Sequence, residues 1–175
     1  MAKSRGLGLV QVYTGDGKGK TTAALGLALR ASGQGLRVGF LQFLKGYPRC
    51  GEHRFLERYQ AFAIVQPAGG SVFRKEEKGR REAAELALAR ARQMLASGAY
   101  DLLVLDEVLT AVGLGALPSG AVLDIIAAKP AALELVLTGR GAPEEVVAAA
   151  DLVTEMVAHK HPFSRGVKAR RGIEY

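Results

Sequence analysis

The residues best suited to chemistry stand in one run, Gly15-Asp16-Gly17-Lys18-Gly19-Lys20-Thr21-Thr22, directly after an apolar stretch ending at Tyr13. Glycines at this spacing let backbone N–H groups turn inward on an anion, the lysines add positive charge, and the hydroxyl after Lys20 is suited to a divalent cation such as Mg²⁺. A helix beginning on Lys20 would add the positive end of its dipole. The run therefore predicts a phosphate cradle over Gly15–Thr22. The general pattern G-x-x-x-x-G-K-[ST] wants glycine where this chain has Thr14, so the literal match fails at its first position. A bare Gly-Lys-Thr arises by chance in roughly one chain in ten of this length. The strand before it, three glycines within five residues and the helical pattern after it carry the inference instead.

Two other runs end in residues that suit the same site. In DLLVLDE, Asp101 to Glu107, an apolar strand delivers Asp106 and Glu107 to the carboxyl edge of a sheet, where one carboxylate can bind Mg²⁺ directly or through water. The plain alternative is an acidic N-cap of the next helix. In LVLTGRGAP, Leu135 to Pro143, a strand ending in Thr138-Gly139-Arg140-Gly141 brings Arg140 to that edge, suited to a phosphate oxygen. Its plain alternative is a surface turn.

The elements that must position these residues follow from hydrophobic pattern. Leu7–Tyr13, Leu36–Phe43, Ala61–Val65, Asp101–Leu105, Leu133–Leu137 and Asp151–Val157 read as strands, two of them continuously apolar and so covered on both faces. Helical spacing runs over Lys20–Ala31, with Gly33 as C-cap, and over Glu76–Ala96, with Ala84, Leu88, Ala91 and Leu95 on one stripe. Ser119–Ala128 and a segment from Pro143 to Ala150 complete the helices. Alternating strands and helices predict an α/β fold with a mostly parallel sheet and right-handed crossovers. Ala68–Glu82 opens as a glycine-rich, charged surface loop.

Composition bounds the rest. At 175 residues the chain suits one domain. It has no apolar run near the ~18 residues of a membrane span and no leader-like start, so a soluble cytoplasmic protein without a membrane partner is expected. Cys50 is the only cysteine, which excludes an internal disulfide. The net charge of +7 attracts polyanions, but the eleven aromatic residues do not interleave with the basic clusters as base stacking requires, which argues against nucleic acid. From the residues alone the chain is a nucleotide enzyme of the phosphate-loop type, with ATPase and nucleoside kinase leading and a nucleotide-dependent nucleic-acid binding module behind them.

Longer stretches resemble one family. YTGDGKGKTTAALGLALRASGQG, VGFLQFLKG, Gly51-Glu52, LVLDE, LVLTGRGAPEEVVAAADLVTEM and the terminal KHPFSRGVKARRGIEY are similar to the ATP:corrinoid adenosyltransferases. Threonine at the first loop position is that family's own version of the motif. The resemblance implies a P-loop NTPase (RecA-like) three-layer domain over residues 1–175, with 159–175 a basic C-terminal tail. It implies transfer of the 5'-deoxyadenosyl group of ATP to the cobalt of a Co(I) corrinoid with release of triphosphate. It also implies a homodimer and a flavoprotein reductant. Carried over by position, Gly15 to Thr22 hold the triphosphate, Lys20, Lys18 and Glu107 act in catalysis, and Thr21 and Glu107 form the Mg²⁺ environment. Arg30, Arg140 and Phe73 join the substrate-binding set, with Phe73 the one aromatic of Gly70-Ser71-Val72-Phe73, and Lys45 and the tail around Lys168 stand beside them.

Overall fold

The computed structural model describes residues 6–45, 50–67 and 76–175. Six strands, β1 (Val10–Thr14), β2 (Val38–Gln42), β3 (Ala63–Val65), β4 (Leu102–Asp106), β5 (Glu134–Thr138) and β6 (Leu152–Glu155), form one sheet in the order β3-β2-β4-β5-β1-β6. Every pairing in it is parallel. The helices among the described residues are α1 (Lys20–Gly33), α2 (Gly51–Tyr59), α3 (Glu77–Ala96), α4 (Val108–Gly113), α5 (Ser119–Ala128) and α6 (Glu144–Ala148), and a 3₁₀ turn spans Pro162–Arg165.

β2, β4 and β5 are buried along their whole length, with apolar residues at their centres, because both faces are covered. Side chains alternate between the faces. Leu103, Leu105, Leu135 and Leu137 point into the core under α3, α4 and α5, whereas Leu102, Val104 and Val136 meet Ala24, Ala28 and Ala31 of α1. Leu105 and Leu137 face each other in register across β4 and β5, both with no exposed surface. Truncating either to alanine would cost about 2–5 kcal/mol. The small residues of α1 let that helix lie close over β4 and β5 on its way from β1 to β2.

The end of α1 differs from the sequence reading. Helix α1 runs through Gly33, and the left-handed residue that ends it is Gly35, at φ 75°. There the Leu36 N–H donates to the Ala31 carbonyl and closes the turn. Helices α2 and α4 were not foreseen, the first because it buries only Leu56, the second because its six residues are too few to show a period. β6 is an edge strand with all four residues exposed.

The start of β1 is fixed by polar contacts at the amino edge of the sheet. The Glu134 carboxylate accepts from the N–H groups of Gly8 and Leu9 and from Gln11 Nε2, at 2.9, 2.9 and 2.7 Å. The opposite, carboxyl edge is thereby left to the loops that carry the chemistry.

Candidate active site

β1 ends at Thr14, and the chain turns through Gly15, at φ 93°, into a loop that closes on Gly19, at φ 127°, the residue before α1. Gly17 serves a second purpose there. Its N–H donates to the Met156 carbonyl at 2.6 Å, and a Cβ on it would stand 2.6 Å from that oxygen, so the end of β6 is packed against the loop. The Lys20 side chain is buried and folds back inside the loop, its Nζ donating to the carbonyls of Gly15 at 2.6 Å and Gly17 at 2.8 Å. Burial, followed by the charge of Arg140, lowers the Lys20 ammonium below the usual lysine value.

Thr21, one residue on, points at β4. Its hydroxyl donates to Asp106 Oδ1 at 2.9 Å. Asp106 is fully buried and accepts three more hydrogen bonds, from Thr138 Oγ1 at 2.7 Å, Gln42 Nε2 at 3.1 Å and Lys45 Nζ at 2.9 Å. Four donors fill the acceptor capacity of a carboxylate and fix it between β2, β5 and α1. Lys45 Nζ also donates to Thr21 Oγ1 at 2.6 Å and lies 4.0 Å from Glu107 Oε1. Burial alone would depress this ammonium; Asp106 and then Glu107 more than offset that, and it stands above the usual lysine value.

The donor set fits Mg²⁺. A threonine hydroxyl and two carboxylates meet at one point, all hard oxygen ligands, and that point already accommodates a positive charge in the Lys45 ammonium. Of the two acids, Glu107 lines the cleft whereas Asp106 lies behind it. Glu107 is held in the left-handed region at φ 63°, and its Oε2 accepts a short hydrogen bond from Thr110 Oγ1. It occupies the N-cap position of α4 without capping any backbone N–H, so the plain capping reading does not describe it. Thr110 Oγ1 in turn accepts from the Arg140 N–H at 2.9 Å, and one hydroxyl therefore sets both the acid and the loop that carries the arginine.

These groups line a single cleft of about 580 Å³. Gly17 to Thr22, Lys45, Gly51, Glu52, Glu107 and Arg140 line it together with residues between His161 and Tyr175. Arg140 Nε lies 3.9 Å from Asp16 Oδ1 at the rim. Lys18 Nζ donates to the Ile173 carbonyl at 3.1 Å and to Glu174 Oε1 at 2.9 Å, tying the tail to the loop. Arg30 does not join this group. It lies exposed in the last turn of α1, roughly 15 Å along the helix axis from Lys20. The helix that begins at the phosphate loop therefore carries Arg30 away from the cleft. Phe73 lies outside the described residues. Residues that the sequence reading passed over are Gln42, Thr110 and the hydroxyl of Thr138. They are ordinary polar positions until the sheet brings β2, β4 and β5 together.

Fold and site thus define an α/β nucleotide-binding protein with a phosphate loop at the carboxyl edge of a parallel sheet. Residues 6–175 match the family described as ATP:corrinoid adenosyltransferase BtuR/CobO/CobP, and the chain belongs to that family. A corrinoid adenosyltransferase of Pseudomonas aeruginosa is 41% identical over 170 residues, covering 96% of this chain and 84% of that protein. One of Salmonella typhimurium is 38% identical, covering 96% of this chain and 86% of that protein. A third, from a Sinorhizobium species, is 34% identical over 96% of this chain and 80% of its own length. Among the described residues no helix is long and apolar enough to cross a membrane.

Proposed function

We infer that the protein transfers the 5'-deoxyadenosyl group of ATP to the cobalt of a reduced corrinoid. The Co(I) electron pair attacks C5' and forms the cobalt–carbon bond, the C5'–O bond breaks, and its electrons leave with inorganic triphosphate. Cobalt is the nucleophile, so no side chain need be one. The protein's contribution is to align the reacting atoms and to stabilise the charge that gathers on the departing oxygen. The observation that carries this reading is the convergence of Lys18, Lys20, Lys45 and Arg140 on one cleft, with Glu107 4.0 Å from Lys45 among them.

Lys20 and the loop amides of Gly15 to Thr22 would hold the triphosphate, with Lys20 exchanging the carbonyls of Gly15 and Gly17 for phosphate oxygens. Lys18 and Arg140 reach it from the rim. Thr21 and Glu107 would hold Mg²⁺, with Asp106 orienting the threonine. The ion supplies charge neutralisation on the leaving group when bound. Residues 1–175 act as one adenosyltransferase domain whose segment 159–175 closes over the substrates. We further propose that it works in the cytoplasm as a homodimer, with a flavoprotein supplying the electron that converts Co(II) to Co(I).

The test is direct. Protein, ATP, Mg²⁺ and chemically reduced cobalamin are mixed, the spectrum is followed for the alkyl-cobalt product, and the inorganic product is separated. Tripolyphosphate equal to the alkylcobalamin formed supports the reading, whereas orthophosphate or diphosphate overturns it. Lys20→Ala should lose at least about a hundredfold in kcat/KM with an unchanged far-ultraviolet circular dichroism spectrum. Wild-type turnover by that variant would remove the loop from the mechanism.

A further inference from the structure

One group of side chains beside the cleft has no part in the reaction just described. Cys50 occupies the N-cap position of α2, and Glu52 and His53 follow in its first turn. The Cys50 Sγ, a Glu52 carboxylate oxygen and a His53 ring nitrogen all lie within 4.8 Å of one another. Cys50 is buried and unpaired. Both ring nitrogens of His53 are closed off from solvent, and neither has a hydrogen-bond partner. A hidden imidazole with no partner leaves a strong donor–acceptor group unsatisfied, which proteins rarely do without a reason.

We propose that Cys50, Glu52 and His53 form a binding site for a divalent late first-row metal ion, zinc above all, with three protein ligands and an open fourth position.

The ligand chemistry selects the ion. Sulfur, imidazole nitrogen and carboxylate oxygen together suit Zn²⁺ or Co²⁺ and are foreign to Mg²⁺, which takes oxygen. The site is therefore chemically separate from the oxygen cluster of Thr21, Asp106 and Glu107. Tetrahedral zinc, at about 2.3 Å from sulfur and about 2.0–2.1 Å from nitrogen and oxygen, holds its ligand atoms roughly 3.3–3.7 Å apart. Rotamer adjustment brings atoms that already lie within 4.8 Å to that separation. A thiolate and a carboxylate neutralise the ion's charge. Both side chains stand at a helix N-terminus, whose dipole favours the negative charge that remains once the ion displaces the Cys50 proton.

The placement also gives the ion work to do. Helix α2 buries only Leu56, so packing alone anchors it weakly. Gly51 and Glu52 nevertheless form part of the wall of the same cleft that Glu107 lines. A metal clip across the first turn of α2 would fix that wall, coupling binding to local order.

The test uses the full chain, with neither ATP nor corrinoid, so it stands apart from the outcome of the adenosylation assay. Co²⁺ is titrated into the wild-type protein in excess Mg²⁺. The expected result is a near-ultraviolet thiolate-to-cobalt charge-transfer band with intense visible bands, saturating at one equivalent and displaced by Zn²⁺. Cys50 is the only cysteine, so such a band has one source. Cys50→Ser should abolish it. His53→Gln should weaken Co²⁺ binding by at least about tenfold, the smallest loss seen when even an outer-shell partner of a metal is removed. A wild-type protein that shows no charge-transfer band overturns the proposal, as does a band that survives Cys50→Ser. X-ray absorption at the zinc edge of the loaded wild-type protein needs no variant. One sulfur among nitrogen and oxygen neighbours supports the site, and a shell without sulfur overturns it.

Discussion

Lys20 is a cation whose charge is turned on its own loop, through Nζ contacts of 2.6 and 2.8 Å to the Gly15 and Gly17 carbonyls. Burial and then Arg140 disfavour the charged form, so its pKa lies below the ordinary 10.5. The sign of the linkage follows. The cost of keeping it protonated in the fold is complete below the lowered value and is relieved as pH rises from there towards 10.5, so stability from this group increases with pH across that window. A triphosphate seated in the loop works the other way, because its charge favours the ammonium. ATP binding within the window should therefore take up protons. Calorimetry at alkaline pH in two buffers of different ionisation enthalpy reads this directly. Lys20→Arg should bind ATP without the uptake, since a guanidinium does not titrate there. Equal proton uptake by both proteins would mean that another group responds to the nucleotide.

At the scale of elements, the site depends on how closely β5 and α4 approach. Gly139, after the last residue of β5, sits at φ 146°, and a Cβ on it would stand 2.4 Å from the Thr110 nitrogen. Neither the backbone conformation nor the spacing admits a side chain. Gly139→Ala should lower the unfolding free energy by about 2–4 kcal/mol, from strain and overpacking together. It should also disturb adenosylation, since Thr110 holds both Glu107 and the Arg140 backbone. Gly26→Ala is the matched control. That residue lies inside α1 with nothing near its absent Cβ, and alanine there should stabilise by about 0.5–1 kcal/mol. Urea unfolding of the pair checks both signs, and equal stabilities would refute the close-approach argument. The same contrast explains what the sequence could tell. The central strands were legible because a doubly covered parallel strand writes its burial as a continuous apolar run, as in Leu102–Leu105. α1 and α3 were legible through alanine and leucine at helical spacing. α2 was not, since GEHRFLERY buries one residue in nine and offers no stripe. Glycine and lysine at a strand end announced the phosphate loop, and VLDE announced the acids. Nothing local could announce that Gln42, Lys45, Thr21 and Thr138 would converge on Asp106, because that depends on the strand order 2-4-5-1 and not on any one segment.

For the molecule as a whole, the basic tail is tied back by its own acid. Glu174 accepts from the Arg170 backbone and guanidinium and from Lys18, so residues 170–175 form a closed turn resting on the phosphate loop. The hydrogen bond from Arg170, then that from Lys18, holds the Glu174 carboxyl down at about 2. A depressed carboxyl stabilises the structure above its ordinary 4.5 and loses that contribution as pH falls from there towards 2, so near neutrality the turn is fully engaged. Glu174→Gln removes the charge that Lys18 and Arg170 share. The pair is solvent-exposed, and global stability should barely move. Two local effects are expected. Trypsin should cut faster after Lys168, Arg170 and Arg171 once the turn loosens. Lys18, released to face the cleft, should lower the KM for ATP severalfold, and added salt should erase the gain because it screens exposed charge. Were the variant cut at the parent rate and equally dependent on ATP, the turn would rest on its backbone bonds alone, and Glu174 would not be what couples the end of the chain to the phosphate loop.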